Sequence, residues 1–434
     1  MIIKTKNLPD TKDLLKKLPV VHYLEPEYVY FPIVTPRCLS GDVCVIEGQK
    51  VKVGDVIGTR DGSFFEQNIH ATCSGEIVAQ EKHFDSTGKK VNTIVIKNDF
   101  KYTLADHIQT RSDEDIKKLK PKEIIEIIKD LGLIGLGGGG FPTYIKLNVK
   151  EEQKVNVVIA NGVECEPELI SDYGLMMDKP KHVIKGLIYA MQAVGSLKGV
   201  IAIKAKNEEL YKRLEFTLRE FSEYDIKVAR IGNYYPQGWE TEVIKNVTGI
   251  DVKHKTLPID YGVINLNVST LESIYQAIKH GLPLLERRIT ISGNAVENMT
   301  FIARIGTMIS DLVEISGGYK NPDTAKVMII GGPMMGANVR QDDVPMTHTT
   351  TSFIVNDNVE YQEEPCVRCA SCVYSCPVAL KPVQIMNAFK EKDVDMLKTL
   401  KVDHCITCGL CSYVCPSKIP LTDIMKSAKN LLLR

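Results

Sequence analysis

The chain has 434 residues, 44% hydrophobic and 25% charged, with 54 basic and 54 acidic side chains. That balance leaves no overall basic field to attract nucleic acid, and the length implies several domains with buried cores. No apolar run approaches the ~18 residues that span a membrane: the nearest, "GLIYAMQAVGSLKGVIAI", is broken by Gln192, Ser196 and Lys198, so membrane association is expected only through partners.

The start, "MIIKTKNLPDTKDLLKKLP", lacks an apolar core followed by a small-residue cleavage site, so no secretory signal is expected. The twelve cysteines are then not expected to pair as disulfides, and Cys38, Cys44, Cys73 and Cys165 read as thiols without a role. In residues 43–98, "VIEGQKVKVGDVIGT" and "IHATCSGEIVAQ" are short alternating strands between Gly-Asp and Ser-Gly turns, which predicts a small β-sandwich. It looks like the lipoyl or biotinyl carrier fold. Lys82, Lys89 and Lys90 stand in no carrier-type tip, so a scaffold without an attached cofactor is expected.

Next comes a helical stretch, "PKEIIEIIKDLGLIG", and then "GLGGGGFPTYIKL". Gly135, Gly137, Gly138, Gly139 and Gly140 free the backbone for positive φ and for close approach to a flat or phosphorylated ligand. The run is neither a P-loop nor a Rossmann fingerprint, since no Gly-Lys-Ser/Thr follows it and no strand leads into it. By itself such a run is a weak signal, and a flexible hinge is the alternative reading. Strand, helix, strand, helix and strand follow from Val155 to Ile231, which predicts a parallel sheet with helices on its faces. Ligands of such sheets sit at the carboxyl ends of the strands, where the acidic loop with Glu164, Glu166 and Glu168 and the loop "GNYYPQGWETE" both fall. In "NLNVSTLESIYQAIKHGLP", Ser269 and Glu272 read as a capping box for a helix ending at Gly281. Residues 286–340 alternate strands with one short helix, similar to a β-grasp module, and "MTHTTTSFIVNDNVEYQEE" reads as a partly extended connector.

The C-terminal part carries Cys366-x2-Cys369-x2-Cys372-x3-Cys376-Pro377, repeated as Cys405-x2-Cys408-x2-Cys411-x3-Cys415-Pro416. Each copy matches the two-cluster ferredoxin run, in which three thiolates converge on one cubane and the fourth crosses to the other. One [4Fe–4S] cluster is assigned to Cys366, Cys369, Cys372 and Cys415, and the second to Cys405, Cys408, Cys411 and Cys376. Zinc sites need neither three cysteines at this spacing nor the prolines. The spacer between the runs suits two short amphipathic helices with a turn near Lys392.

Taken in order, "GLGGGGFPTYIKL", "NGVECEP", "YYPQGWETEVIKNVTG", "NLNVST", "RIGT", "GGPMMG" and the doubled cysteine run resemble the RnfC family, the C subunits of ion-pumping ferredoxin:NAD oxidoreductases. The resemblance runs from about residue 28 to the end. The glycine loop is also similar to that of the NADH-binding flavoprotein subunit of respiratory complex I. The resemblance implies an α/β multidomain fold: a lipoyl-like barrel-sandwich over 1–105, a Rossmann-like FMN/NADH-binding domain over 106–282, a β-grasp module over 283–345 and a helical two-cluster ferredoxin domain over 346–434. It implies FMN, NAD(H) and two [4Fe–4S] clusters as cofactors, with Gly135, Gly137 to Gly140 and Phe141 lining the flavin and nicotinamide pocket. Lys146 matches a lysine near the flavin, Glu164 and Glu166 an acidic pair of which one lies near the nicotinamide, and Glu240 the glutamate of a Gly-Glu pair. Asn267 and Thr270 match a segment that holds the FMN phosphate. The family's usual Gln-Gly-Gly-Glu is here Gln237-Gly238-Trp239-Glu240, so the only tryptophan stands where a glycine allows close approach. "TPRCLSGD" departs from the family's usual run as well.

The expected activity is electron exchange between NAD(H), flavin and clusters, on the cytoplasmic face of a membrane complex whose other members meet ferredoxin. Two rival readings are a soluble reductase for another acceptor and a non-catalytic electron relay.

Overall fold

The structure is a computed structural model that describes residues 8–9, 11–358 and 362–432. The stretch read as free of a secretory signal lies partly outside these residues, as does part of the expected connector. Among the described residues the strands form four sheets.

β1 (Val20–Tyr23) runs into the third module, described below. β2 (Tyr28–Pro32), β3 (Ser40–Val43), β4 (Lys50–Val51), β5 (Val56–Asp61), β6 (Glu66–His70), β7 (Gly75–Phe84) and β8 (Lys90–Asn98) make two antiparallel sheets, ordered β2-β8-β7-β4 and β3-β5-β6. Alternation along them points Val29, Phe31, Ile57, Ile69, Ile77, Ile94 and Ile96 inward to a buried core. Each such side chain contributes about 1.5–3 kcal/mol by leaving water. This is the expected β-sandwich.

β9 (Val157–Gly162), β10 (Lys198–Lys204), β11 (Asp225–Ile231) and β12 (Val263–Asn267) form a parallel sheet ordered β11-β10-β9-β12. Its apolar strands are sandwiched by helices, among them Pro180–Val194, Glu208–Leu218 and Val268–His280. Gly186 lets two of these touch closely, because a Cβ there would overlap the Leu271 carbonyl. Strand order reverses between β9 and β12. In such sheets the crevice outside the strand ends at the reversal is where ligands bind.

β13 (Glu286–Ser292) and β14 (Met299–Arg304) form a hairpin, the helix Ile309–Ile315 follows, and β15 (Lys326–Ile330), β16 (Ala337–Val339) and β17 (Ser352–Asp357) complete a sheet ordered β1-β14-β13-β17-β15-β16. The parallel β13–β17 pair inside antiparallel neighbours gives the β-grasp arrangement. The sheet departs from the sequence expectation in two strands. β17 falls in the expected connector, but Phe353, Ile354 and Val355 are fully buried, so the sheet extends past residue 345. β1, expected with the barrel-sandwich, pairs in parallel with β14 instead. The cores of the two modules are continuous: Phe31 and Ile57 share one buried cluster with Ile289, Phe301 and Phe353.

The C-terminal part is helical, with Pro382–Lys390 and Val394–Thr399 as the two spacer helices and a positive φ at Lys392 between them. The final helix, Leu421–Leu432, buries Leu421, Met425 and Ala428.

Candidate functional site: a glycine loop and a doubled cysteine cradle

The glycine loop sits at the β9/β12 crevice. Its ends are clamped by bonds from Gly135 N to Phe141 O, 2.7 Å, and from Gly140 N to Gly135 O, 3.0 Å. Leu136 N donates to Thr270 Oγ1 at 2.9 Å, and Arg287 donates to the Leu136 carbonyl. At Gly137 a Cβ would lie 3.2 Å from that of Asn267, whereas at Gly138 and Gly139 it would meet nothing within 4 Å. Gly138, at φ +93°, takes a backbone conformation that other residues adopt only with strain. The loop thus backs onto the Asn267–Thr270 turn and leaves a bare backbone face open. At its exit the buried Thr143 hydroxyl has no partner among the described residues.

The helix that Asn267 begins is capped differently from the expected box. The N-cap is Asn267, whose Oδ1 accepts from Ser269 N at 2.9 Å. Ser269 Oγ instead donates to Asp172, 2.7 Å, as does Asn267 Nδ2, also 2.7 Å. Asp172 is buried, and burial followed by the nearby Glu164 charge holds its carboxyl above the usual carboxylate range. Glu272 pairs with His182 and Gln276. A tertiary partner, invisible to local sequence reading, has replaced the local one.

The two glutamates of "NGVECEP" point apart. Glu164 accepts from Asp172 N at 2.9 Å, and its backbone carbonyl accepts from Lys12 Nζ at 2.5 Å. Glu166 accepts from Met334 N, 3.0 Å, and from the Tyr235 hydroxyl, 3.2 Å. Burial pushes the Glu166 carboxyl up to about 7. Tyr235 is 2% exposed, and its hydroxyl also lies 2.8 Å from the Cys408 carbonyl. Glu240 binds Lys146 at 2.6 Å, so these two expected residues do meet. Trp239 is half-buried at the N-cap of the helix Glu240–Thr248.

The cysteine runs fold as a repeat. Positive φ occurs at Arg368, Ala370 and Ala379 in the first run and at Thr407, Gly409 and Lys418 in the second, each pair 39 positions apart. The short helices Ser371–Tyr374 and Leu410–Tyr413 keep the same offset. Cys376, Cys405, Cys408 and Cys411 line one cavity. Cys372 and Cys415 are buried together with Cys366 against them, and Cys369, next in the same run, is exposed. Each fourth cysteine thus stands with the other run. The donor set fits iron–sulfur ligation: Leu380 N donates to Cys376 Sγ at 3.3 Å and Thr407 N to Cys405 Sγ at 3.4 Å. Burial pushes the Cys408 thiol up to about 12 and Cys411 to about 11, so these buried sulfurs become thiolates only when a metal takes the place of the proton.

The two regions meet. Cys408 and Leu410 pack in one buried group with Tyr235, beside Cys165 and Met334. At Gly409 a Cβ would come within 2.7 Å of the Met334 carbonyl. The cradle of Cys376, Cys405, Cys408 and Cys411 thus lies against the loops that leave β9 and β11. The sequence singles out the segments holding Tyr235 and Met334 but not those residues themselves, and it gives no sign of Asp172.

Three family profiles match the chain: an RnfC barrel sandwich hybrid domain over residues 5–101, a Nuo51 FMN-binding domain over 128–276 and a 4Fe-4S dicluster domain over 358–416. The C subunit of the proton-translocating ferredoxin:NAD(+) oxidoreductase complex of Clostridium ljungdahlii is 32% identical over 389 residues, covering 89% of this chain and 83% of that protein. Its Na(+)-translocating counterpart from Acetobacterium woodii is also 32% identical, over 87% of this chain and 84% of its own length. Among solved structures, an NAD+-reducing [NiFe]-hydrogenase in its H2-reduced state superposes with a TM-score of 0.53 at 17% identity, over 76% of this chain and 69% of that one, a likeness of fold. On its identity to these proteins over nearly nine-tenths of its length, the chain belongs to the RnfC family.

Proposed function

We propose that this chain is the C subunit of an ion-translocating ferredoxin:NAD oxidoreductase complex, exchanging electrons between NAD(H) and the rest of the complex. It does so through FMN at the glycine loop and [4Fe–4S] clusters in the two cysteine cradles. When bound, FMN supplies the exchange between two-electron transfer with NAD(H) and one-electron transfer with the clusters. The observation that carries this reading is the contact between the loops at the carboxyl ends of β9 and β11 and the second cysteine run, through Glu166, Tyr235 and the Cys408 carbonyl.

The chain's own residues have separable tasks. Gly138 and Gly139 offer an open backbone face for a flat ring. Asn267 and Thr270 hold the inner end of the loop, where the FMN phosphate is assigned. Lys146, paired with Glu240, places a positive charge at the loop's exit. Glu164 and Glu166 flank the β9 end, Glu166 on the side of the cluster cradle. The cradle of Cys376, Cys405, Cys408 and Cys411 is the flavin-side cluster. The other, with Cys369 exposed and Val367 and Tyr374 of the same run exposed as well, faces a protein electron partner.

No helix of the described residues is long and apolar enough to cross a membrane. Attachment to the cytoplasmic face of the membrane, and contact with ferredoxin, are assigned to the other members of the complex. Iron, zinc and flavin analysis of the anaerobically purified chain tests the proposal. About eight irons per chain with one FMN is the expected result, and zinc without iron, or no flavin, would refute it.

A further inference from the structure

The barrel-sandwich does more than support the glycine loop from below. It does that too: Gln67 Nε2 donates to Gly132 O at 3.0 Å and Asn68 Nδ2 to Asp130 O at 2.9 Å, fixing the root of the loop. But it also reaches the mouth. Arg37 stands in a tight turn whose flanks, Thr35 and Cys38, exchange backbone hydrogen bonds of 2.8 and 3.1 Å. From there its Nε donates to the Gly139 carbonyl, and its guanidinium lies over the Phe141 ring, 5.9 Å from the centroid. Phe64, at the tip of the β5–β6 hairpin, is 66% exposed, and its ring centre lies 6.3 Å from that of Phe141.

The loop therefore has two chemically different ends. At the inner end Gly137 meets Asn267 and Leu136 meets Thr270, a fully buried hydroxyl. At the outer end an exposed guanidinium and two aromatic rings frame the bare backbone of Gly138 and Gly139. Arg37 commits its Nε to the loop, and the rest of its exposed guanidinium lies beside an aromatic ring. That is the arrangement that takes phosphate bidentately and flanks a planar ring. FMN carries one phosphate, assigned to the inner end. A second anionic nucleotide brings its charge to the outer one.

We infer that Arg37, supplied by the barrel-sandwich, binds the pyrophosphate of NAD(H), with Phe64 and Phe141 flanking a ring of the same dinucleotide. This rests on the reading above, that the glycine loop receives NAD(H). A phosphate at Arg37 has two sources, the flavin and the dinucleotide, and the test separates them.

The full chain, purified anaerobically with its cofactors, is titrated with NADH as wild type, Arg37→Ala, Arg37→Lys and Phe64→Ala. FMN content, iron content and melting temperature are measured alongside. Arg37→Ala is expected to weaken NADH binding roughly 10- to 100-fold and to flatten its salt dependence, with FMN and iron retained. Arg37→Lys recovers part of the affinity, because the charge returns without the fork. Phe64→Ala weakens NADH binding less than Arg37→Ala. Equal NADH affinity in wild type and Arg37→Ala would overturn this inference alone. Loss of FMN in Arg37→Ala would reassign the residue to the flavin phosphate or to the loop's integrity, and overturn it as well. A wild-type chain that holds FMN and binds no NADH would overturn the reading on which it rests.

Discussion

Tyr235 joins the two halves of the chemistry with one hydroxyl. It is shared between a carboxylate after β9 and a carbonyl inside the second cysteine run, 173 residues away. Phenylalanine at this position keeps the ring and deletes the donor, leaving Glu166 and the Cys408 carbonyl short of one partner at a cost of about 1–3 kcal/mol. Tyr235→Phe should therefore shift the EPR spectrum of the flavin-side cluster and leave that of the other unchanged. Equal shifts in both, or in neither, would contradict the link. The residue is not legible in the sequence, although its neighbours are: nothing local marks a tyrosine whose partners are a distant loop of its own module and a carbonyl of the ferredoxin-like part. The same holds for Asp172, which displaces the expected capping box at Ser269. Lys146 and Glu240 are legible because each belongs to a motif, and the structure joins them.

At the scale of elements, the doubled cysteine run is the most readable part, because metal ligation dictates residue type and spacing together. Its structure repeats down to the positive-φ positions, and the fourth cysteine of each run crosses over. Cys376 therefore belongs with Cys405, Cys408 and Cys411. Cys376→Ala and Cys405→Ala should each remove the same cluster, about four irons, and leave identical residual EPR spectra. A Cys376→Ala spectrum that instead matched Cys369→Ala would show that each run holds its own cluster. The glycine loop is readable as a ligand cradle only through the elements around it, since the loop alone also suits a hinge; its setting comes from its place at the β9/β12 reversal and its contact with Asn267. β17 escapes sequence reading because "TSFIVND" is short and flanked by polar residues, and only its partners β13 and β15 make it a central strand.

At the scale of the whole molecule, the modules are not beads on a string. The barrel-sandwich and the β-grasp share a core, the barrel-sandwich holds both root and mouth of the glycine loop, and the ferredoxin-like part leans on the loops that leave β9 and β11. Such packing ties the glycine loop to the barrel-sandwich and the cysteine cradle to the ends of β9 and β11. On the proposed reading, electrons pass between NAD(H) at the glycine loop and the cluster cradle beside Tyr235. An anaerobic titration of the purified chain with NADH, followed by flavin absorbance and EPR together, tests it most directly. The predicted result is that NADH bleaches the flavin and that the signal of a reduced cluster appears, the signal being the one that Cys376→Ala abolishes. A chain that carries flavin and iron yet shows neither change on adding NADH would contradict it.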